Sequence, residues 1–230
     1  MILIIGAHRT GSSLLGSILG ASPEVNYLGE LRLTSIIHRS VVGGYREIRA
    51  TLESLEKPQK ESCLKLIGPE IHYMASYIKA FPDHKLIAVI RDWRDSFCSL
   101  RETEWPALRG NPITFSEADI NDMSKQYLLL WDMVSYWVEI RNGLIVKYED
   151  IIQNTDQTIH DICKFIGINY TEEMLSRNNW NTNVVGDHKL RISDGIFSSS
   201  IGRYRKEYPD INKYAEPGSL DLLTSQGYLV

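Results

Sequence analysis

"GAHRTGSSLLGSILG", Gly6 to Gly20, follows the apolar run Met1-Ile2-Leu3-Ile4-Ile5, and its reading decides the fold. Ile2 to Ile5 is continuous, β-branched and ended by Gly6, the pattern of a strand buried on both faces. From Ser12 to Leu19 the apolar residues at 14, 15, 18 and 19 recur at helical spacing. Gly6 to Gly11 is therefore a strand-to-helix turn of G-x-x-x-x-G form. Such a turn aims several backbone N–H groups at one point, where the helix dipole also favours an anion. It looks like a phosphate loop with one departure. The Walker pattern continues with Lys and Ser/Thr, whereas here Ser12 and Ser13 follow Gly11, and the positive charge, Arg9, sits inside the loop.

Working outward, "VNYLGE" (25–30) reads as a short second strand, with helical segments from about Leu31 to Leu55. "KPQKES" (57–62) is a polar break, "CLKLIG" (63–68) is strand-like, and Glu70 to Phe81 has helical periodicity. "KLIAVI" (85–90) is the clearest buried strand after the first, and a helix follows from Trp93 to roughly Thr103. "WPALRGNPITFSE" (105–117) is loop-like, and a long amphipathic helix covers about Glu117 to Asn142. "LIVKYE" (144–149) reads as a last strand, with two helical stretches between Asp150 and Ser176. From Asn178 the chain is rich in Asn, Ser and Gly, with "SSSIGRYRKEY" (198–208) embedded. Alternating strands and helices predict one α/β domain over 1–230, a central parallel β-sheet flanked by helices, with an irregular C-terminal segment over 178–230. Ligands of such sheets gather at the carboxyl ends of the strands. Gly6 to Ser13, Arg91 to Ser99 and Glu149 all fall at predicted strand ends.

Composition narrows the ligand. The chain has 230 residues, 43% hydrophobic and 23% charged, with a net charge of −4 and a pI near 5.9. That balance argues against broad nucleic-acid or membrane-surface binding, so an anionic ligand must be held by locally placed Arg and Lys. Apolar stretches are short, and no membrane span is expected. A strand beginning at Met1 leaves no room for a signal peptide, and a cytoplasmic protein is the expectation. Cys63, Cys98 and Cys163 lie far apart in apolar patterns and read as packed, reduced thiols. His8, His38, His72, His84, His160 and His188 show no triad or metal-type pairing.

A second departure from the Walker pattern points the same way as the first. Nucleotide hydrolases commonly end a buried strand with a magnesium-organising Asp, but "KLIAVI" ends in Arg91. A strand-end arginine cannot hold a metal; it offers a planar fork of donors to a phosphate. Both departures imply a nucleotide with more than one anionic site, bound by arginine and hydroxyls without a metal.

At these residues the chain resembles the sulfotransferases that use adenosine 3′-phosphate 5′-phosphosulfate (PAPS). "GAHRTGSSLL" is similar to that family's loop for the 5′-phosphosulfate, in the Arg-Thr-Gly-Ser/Thr form of its bacterial and Golgi-type branches. "IRDWRDSFCS" is similar to its 3′-phosphate motif, an Arg at a strand end with a Ser eight residues later, here Arg91 and Ser99. "FPDHKLIAVIRD", "LIVKYEDII" and "SSSIGRYRKEY" resemble its later strands and its C-terminal loop. The likeness runs in order from residue 2 to about 208. Trp93 stands where the family usually has Pro, and the Arg-Lys-Gly of the cytosolic branch is not found before Gly202.

The resemblance implies a P-loop-like sulfotransferase fold, PAPS as donor and PAP as product, and no metal. It assigns the donor to Arg9, Thr10, Gly11, Ser12, Ser13, Arg91 and Ser99, with Ser200 and Arg203 in a C-terminal segment closing over that site. It also implies catalytic roles for Arg9, for Lys65 at the transferring sulfonate, and for Glu30 in "YLGELR" as general base, with Arg32 beside the acceptor. His72 is the alternative base. Each has a plainer reading. Ser12 and Ser13 can satisfy free N–H groups of the helix, Glu30 can offset a helix dipole, Lys65 can be a strand-edge lysine, and Arg91 can bridge to Asp95. "KYED" (147–150) reads as structural support, and Trp105, Phe115, Trp131 and Trp137 as a mixture of core and pocket wall. The implied partner is a small-molecule, carbohydrate or peptide acceptor. The rival readings are a kinase-like phosphotransferase using ATP and magnesium, and a non-catalytic nucleotide-binding module.

Overall fold

β1 (Ile2–Gly6) is the central strand of a five-stranded sheet in the order β2-β3-β1-β4-β5. The other strands are β2 (Val25–Gly29), β3 (Glu61–Ile67), β4 (Lys85–Ile90) and β5 (Leu144–Lys147). Every pairing is parallel. The computed structural model describes residues 1–31, 44–101, 117–180, 196 and 198–229. Arg32, His38, Trp105, Phe115 and His188 lie outside the described residues, as do the expected helix over 32–43 and the loop over 105–116.

Side-chain alternation along β1 explains why it is apolar throughout. Ile2 and Ile4 join a core on one face, with Leu15, Ile18, Val89, Ile159 and Ile162. Leu3 and Ile5 face the other way, into a core with Ile48, Leu66, Tyr77, Val134 and Val138. Successive strand residues point to opposite faces, so a strand covered on both sides must be apolar at every position. The first face is covered by α1 (Ser12–Leu19), α6 (Tyr148–Gln153) and α7 (Thr155–Ile166), the second by α2 (Gly44–Glu53), α3 (Met74–Ala80) and α5 (Glu117–Arg141). α1 lies so close to β2 that a Cβ at Gly16 would overlap the Tyr27 ring. Cys63, Cys98 and Cys163 are free and buried. Burial pushes their thiols up to about 12, 12 and 11 respectively.

Several boundaries differ from the expected ones for local reasons. The run from Glu70 to Phe81 splits into a 3₁₀ turn, Gly68–Tyr73, with Pro69 in its first turn, and then α3. The last strand stops at Lys147, because Tyr148 already begins α6. α4 spans Trp93–Arg101. The segment expected to be irregular contains α8 (Tyr204–Glu207) and α9 (Pro217–Ser225). Pro217 is pre-set for a first helical turn, and Leu223 anchors α9 in a third apolar cluster with Trp93, Phe97, Tyr127, Tyr204 and Ile211. That cluster fastens the C-terminal segment to α4, directly beyond the end of β4.

Candidate active site

The connection leaving β1 runs towards β2, and the one leaving β4 runs towards β5. Their carboxyl ends therefore form a switch point, where open α/β sheets bind ligands. Register levels the two ends, since Gly6 pairs with Val89. The Gly6–Gly11 loop leaves one of these strand ends and Arg91 the other.

The loop is built for close approach. Thr10, 1% exposed, donates its hydroxyl to the Ala7 carbonyl at 3.0 Å and closes the turn. Gly11 caps α1 with φ +90°, and a Cβ there would run into the Tyr148 ring; only glycine suits both conditions. Arg9 is also left-handed, at φ 65°, a conformation that costs a non-glycine residue on the order of 1–2 kcal/mol. Two contacts hold it there. Arg91 donates from Nη1 to the Arg9 carbonyl at 3.0 Å, and Arg9 Nε donates to Ser99 Oγ at 3.0 Å. Ser12 and Ser13 are buried in the first turn of α1, whose leading N–H groups have no partners within the helix.

Arg91 is 3% exposed. Its Nη2 donates to the Ser200 carbonyl at 2.6 Å, and its guanidinium lies 4.2 Å from the centre of the Tyr148 ring. Register explains the stacking: Ile90 pairs with Lys147 across β4 and β5, so the next residues, Arg91 and Tyr148, leave the sheet side by side. The Tyr148 hydroxyl is 2.7 Å from Ser200 Oγ. Among the described residues, buried Arg91 Nε has no hydrogen-bond partner. Arg203 pairs with Glu207 at 2.6 Å, one turn along α8.

On the β3 side, Lys65 is 3% exposed and donates from Nζ to Ser13 Oγ at 2.6 Å. Its ammonium is also 3.1 Å from Glu30 Oε2. Thus Glu30, at the end of β2, and Ser13, at the start of α1, meet on one lysine. Its depth follows from register, since Lys65 pairs with Ile4, two residues below Gly6. His8 packs against Gly68. Burial holds its imidazole below the usual histidine range, with the charges of Lys65 and Arg9 acting the same way and Glu30 opposing them. His72 is exposed, in the 3₁₀ turn after β3.

Three supporting residues received no individual site role from the sequence, although Glu149 and the stretch holding Asp95 fall at predicted strand ends. Tyr148, within the stretch read as structural, touches Arg91, Ser200 and Gly11. Asp95 accepts from the backbone N–H of Gly202 at 2.6 Å and of Tyr204 at 3.1 Å. Glu149 accepts from the Asp92 N–H at 3.2 Å and the Tyr228 hydroxyl at 2.9 Å. Desolvation pushes both carboxyls above their ordinary range. Tyr148 could have been found by the same strand-end signal, since it directly follows β5. Among the described residues, no group of three or more His, Cys, Asp or Glu is arranged to hold a metal, and no helix is long and apolar enough to cross a membrane.

Two arginines, a lysine and a glycine-bearing loop thus meet at the switch point of a parallel sheet. Residues 1–184 match the sulfotransferase domain family, and the chain belongs to it. It is 26% identical over 208 residues to protein-tyrosine sulfotransferase 2 of Gallus gallus, covering 76% of this chain and 53% of that relative. The chain thus spans about half the length of that relative. Among solved structures, the sulfotransferase domain from the Curacin biosynthetic pathway matches with a TM-score of 0.70 at 16% identity, covering 100% of this chain and 98% of that one. The sulfotransferase domain of the Synechococcus PCC 7002 olefin synthase matches with a TM-score of 0.65 at 18% identity, covering 100% and 95%. These two show a shared fold.

Proposed function

We propose that the protein transfers a sulfuryl group from PAPS to a hydroxyl or amine of an acceptor and releases PAP. The observation that carries this reading is the two-arginine brace at the switch point, in which Arg91 holds the Arg9 backbone and Arg9 reaches Ser99. It supports two anion positions, one at the glycine loop and one at the end of β4, as a nucleotide phosphorylated at both 3′ and 5′ positions requires. The unpartnered Nε of buried Arg91 suits an incoming phosphate oxygen.

On this reading Arg91, Ser99, Ser200 and Arg203 hold the 3′-phosphate and fix the donor in line with the acceptor. Arg9, Thr10, Ser12 and the Gly11–Ser13 amides take the phosphosulfate. Glu30 removes the acceptor proton as the acceptor oxygen or nitrogen attacks sulfur. The bond between sulfur and the 5′-phosphate oxygen breaks, and its electron pair leaves with PAP. Lys65, Ser13 and Arg9 offset the charge that builds on the sulfonate and the leaving phosphate. Lys65 links these tasks, since it already touches both Glu30 and Ser13. Arginine, lysine and backbone N–H groups meet the anionic charge, and the scheme calls on no metal.

The family relative acts on protein tyrosine by its name, so tyrosine peptides belong in the acceptor panel beside sugars and small alcohols, phenols and amines. The test is PAP release from PAPS with each acceptor, together with detection of the sulfated product. Acceptor-dependent PAP formation is expected. Magnesium-dependent phosphoryl transfer from ATP, with no sulfated product from any acceptor, would overturn the proposal in favour of a kinase-like enzyme.

A further inference from the structure

We infer that Asp95 is a positioning residue that tethers the Ser200–Arg203 loop over the donor site whether or not the donor is bound. This rests on the donor reading above for its meaning, but not for its geometry. Three contacts of the described residues tie the loop to the segments that follow β4 and β5. Two of them, Arg91 to the Ser200 carbonyl and Tyr148 to the Ser200 hydroxyl, involve groups that a 3′-phosphate competes for or displaces. The third uses only the Asp95 carboxylate and the N–H groups of Gly202 and Tyr204, 107 and 109 residues further along the chain. It can therefore persist while the other two rearrange.

Physical chemistry makes this tether stronger than an ordinary loop contact. Asp95 is 1% exposed, in the first turn of α4, four residues after Arg91. A buried carboxylate requires hydrogen-bond donors, and charge-assisted bonds to backbone N–H groups are among the strong ones. If the loop opened, Gly202 and Tyr204 would leave the carboxylate without them, so the buried charge opposes opening. The burial that pushes this carboxyl up is countered first by these same two N–H groups. Tyr204 continues the attachment through its ring, which packs with Trp93 and Phe97.

Hydrogen exchange on the full chain without ligand tests the tether directly. In the parent, the Gly202 and Tyr204 amides should exchange at least about tenfold more slowly than unprotected amides. Asp95→Asn, which replaces one acceptor oxygen by a donor, should speed both at least about tenfold while β1 and β4 amides keep their protection. In the same variant PAP should bind about tenfold more weakly, and AMP, which lacks the 3′-phosphate, within about twofold of the parent. Asp95→Glu, which keeps the carboxylate, should recover most of both losses. Unprotected Gly202 and Tyr204 amides in the parent, or unchanged exchange in Asp95→Asn, would overturn the tether, and the parent measurement stands even if the variant does not fold. Faster exchange with equal losses for PAP and AMP would overturn its role in donor positioning. A parent that binds no PAP would refute the donor reading, while the exchange result still judges the tether.

Discussion

Arg91 donates from Nη1 to the carbonyl oxygen of Arg9 at 3.0 Å, and so braces the one residue of the glycine loop that is left-handed without being glycine. The arginine after β4 and the arginine after β1 thus act as one unit, although 82 residues separate them. The brace leaves Arg9 directed at Ser99 and Arg91 stacked on Tyr148.

Removing Arg91 should therefore separate the two ends of the nucleotide. Arg91→Ala is expected to cost about 1.5–3 kcal/mol of PAP affinity through lost charge-assisted hydrogen bonds. Adenosine 5′-phosphosulfate, which lacks the 3′-phosphate, should lose much less. Calorimetry with both ligands checks this. Equal losses would mean that Arg91 acts only by bracing the Arg9 backbone.

Glu30 tests chemistry apart from binding. Glu30→Gln keeps size and polarity and can still accept from Lys65, but it cannot take a proton. A rate loss on the order of 10²–10⁴ is expected, the span of a positioned general base. PAP affinity should stay close to that of the parent, while the melting temperature should fall, because buried Lys65 loses its counter-charge. Were Glu30 only the ion-pair partner of Lys65, the variant would show that stability loss with normal turnover. Normal turnover would retire Glu30 and bring forward His72, despite its exposed position.

Much of this site is legible in the sequence, and the limits have physical causes. The buried strand, the G-x-x-x-x-G turn and the helix after it follow from local periodicity, which is why Arg9 through Ser13 and Arg91 stood out. Strand order is not local. Tyr148 could be paired with Arg91 only once the Ile90–Lys147 register was known, and within "KYED" it read as support. The sequence allows Asp95 a bridge to Arg91, but it turns its oxygens to Gly202 and Tyr204, a contact across more than a hundred residues that no periodicity encodes. The family resemblance implies separate roles for Lys65 and Glu30; their contact follows from the depth of Lys65 in β3, level with Ile4.

Glu149 gives a prediction about pH. Burial pushes its carboxyl above the ordinary range, against the hydrogen bonds from Tyr228 and Asp92. The native state therefore holds this proton to higher pH than the unfolded chain, whose glutamates titrate near about 4.3. Stability from this group is greatest below that value and falls as pH rises through the folded-state pKa. Glu149→Gln removes the titration. Its deficit in melting temperature relative to the parent should narrow as pH is raised from about 4 to about 7. A deficit that widens over that range would show the carboxylate to be stabilised in its ionised form instead.

The most direct test of the account is a calorimetric titration of the parent protein in EDTA, first with PAP and then with ATP, followed by ATP with magnesium. The glycine loop lacks the lysine after Gly11, and β4 leads into Arg91 where nucleotide hydrolases place a metal-organising aspartate. The account predicts that PAP binds without metal and at least about tenfold more tightly than ATP under either condition, a difference of about 1.4 kcal/mol or more. Tight, magnesium-dependent binding of ATP with no detectable binding of PAP would contradict it.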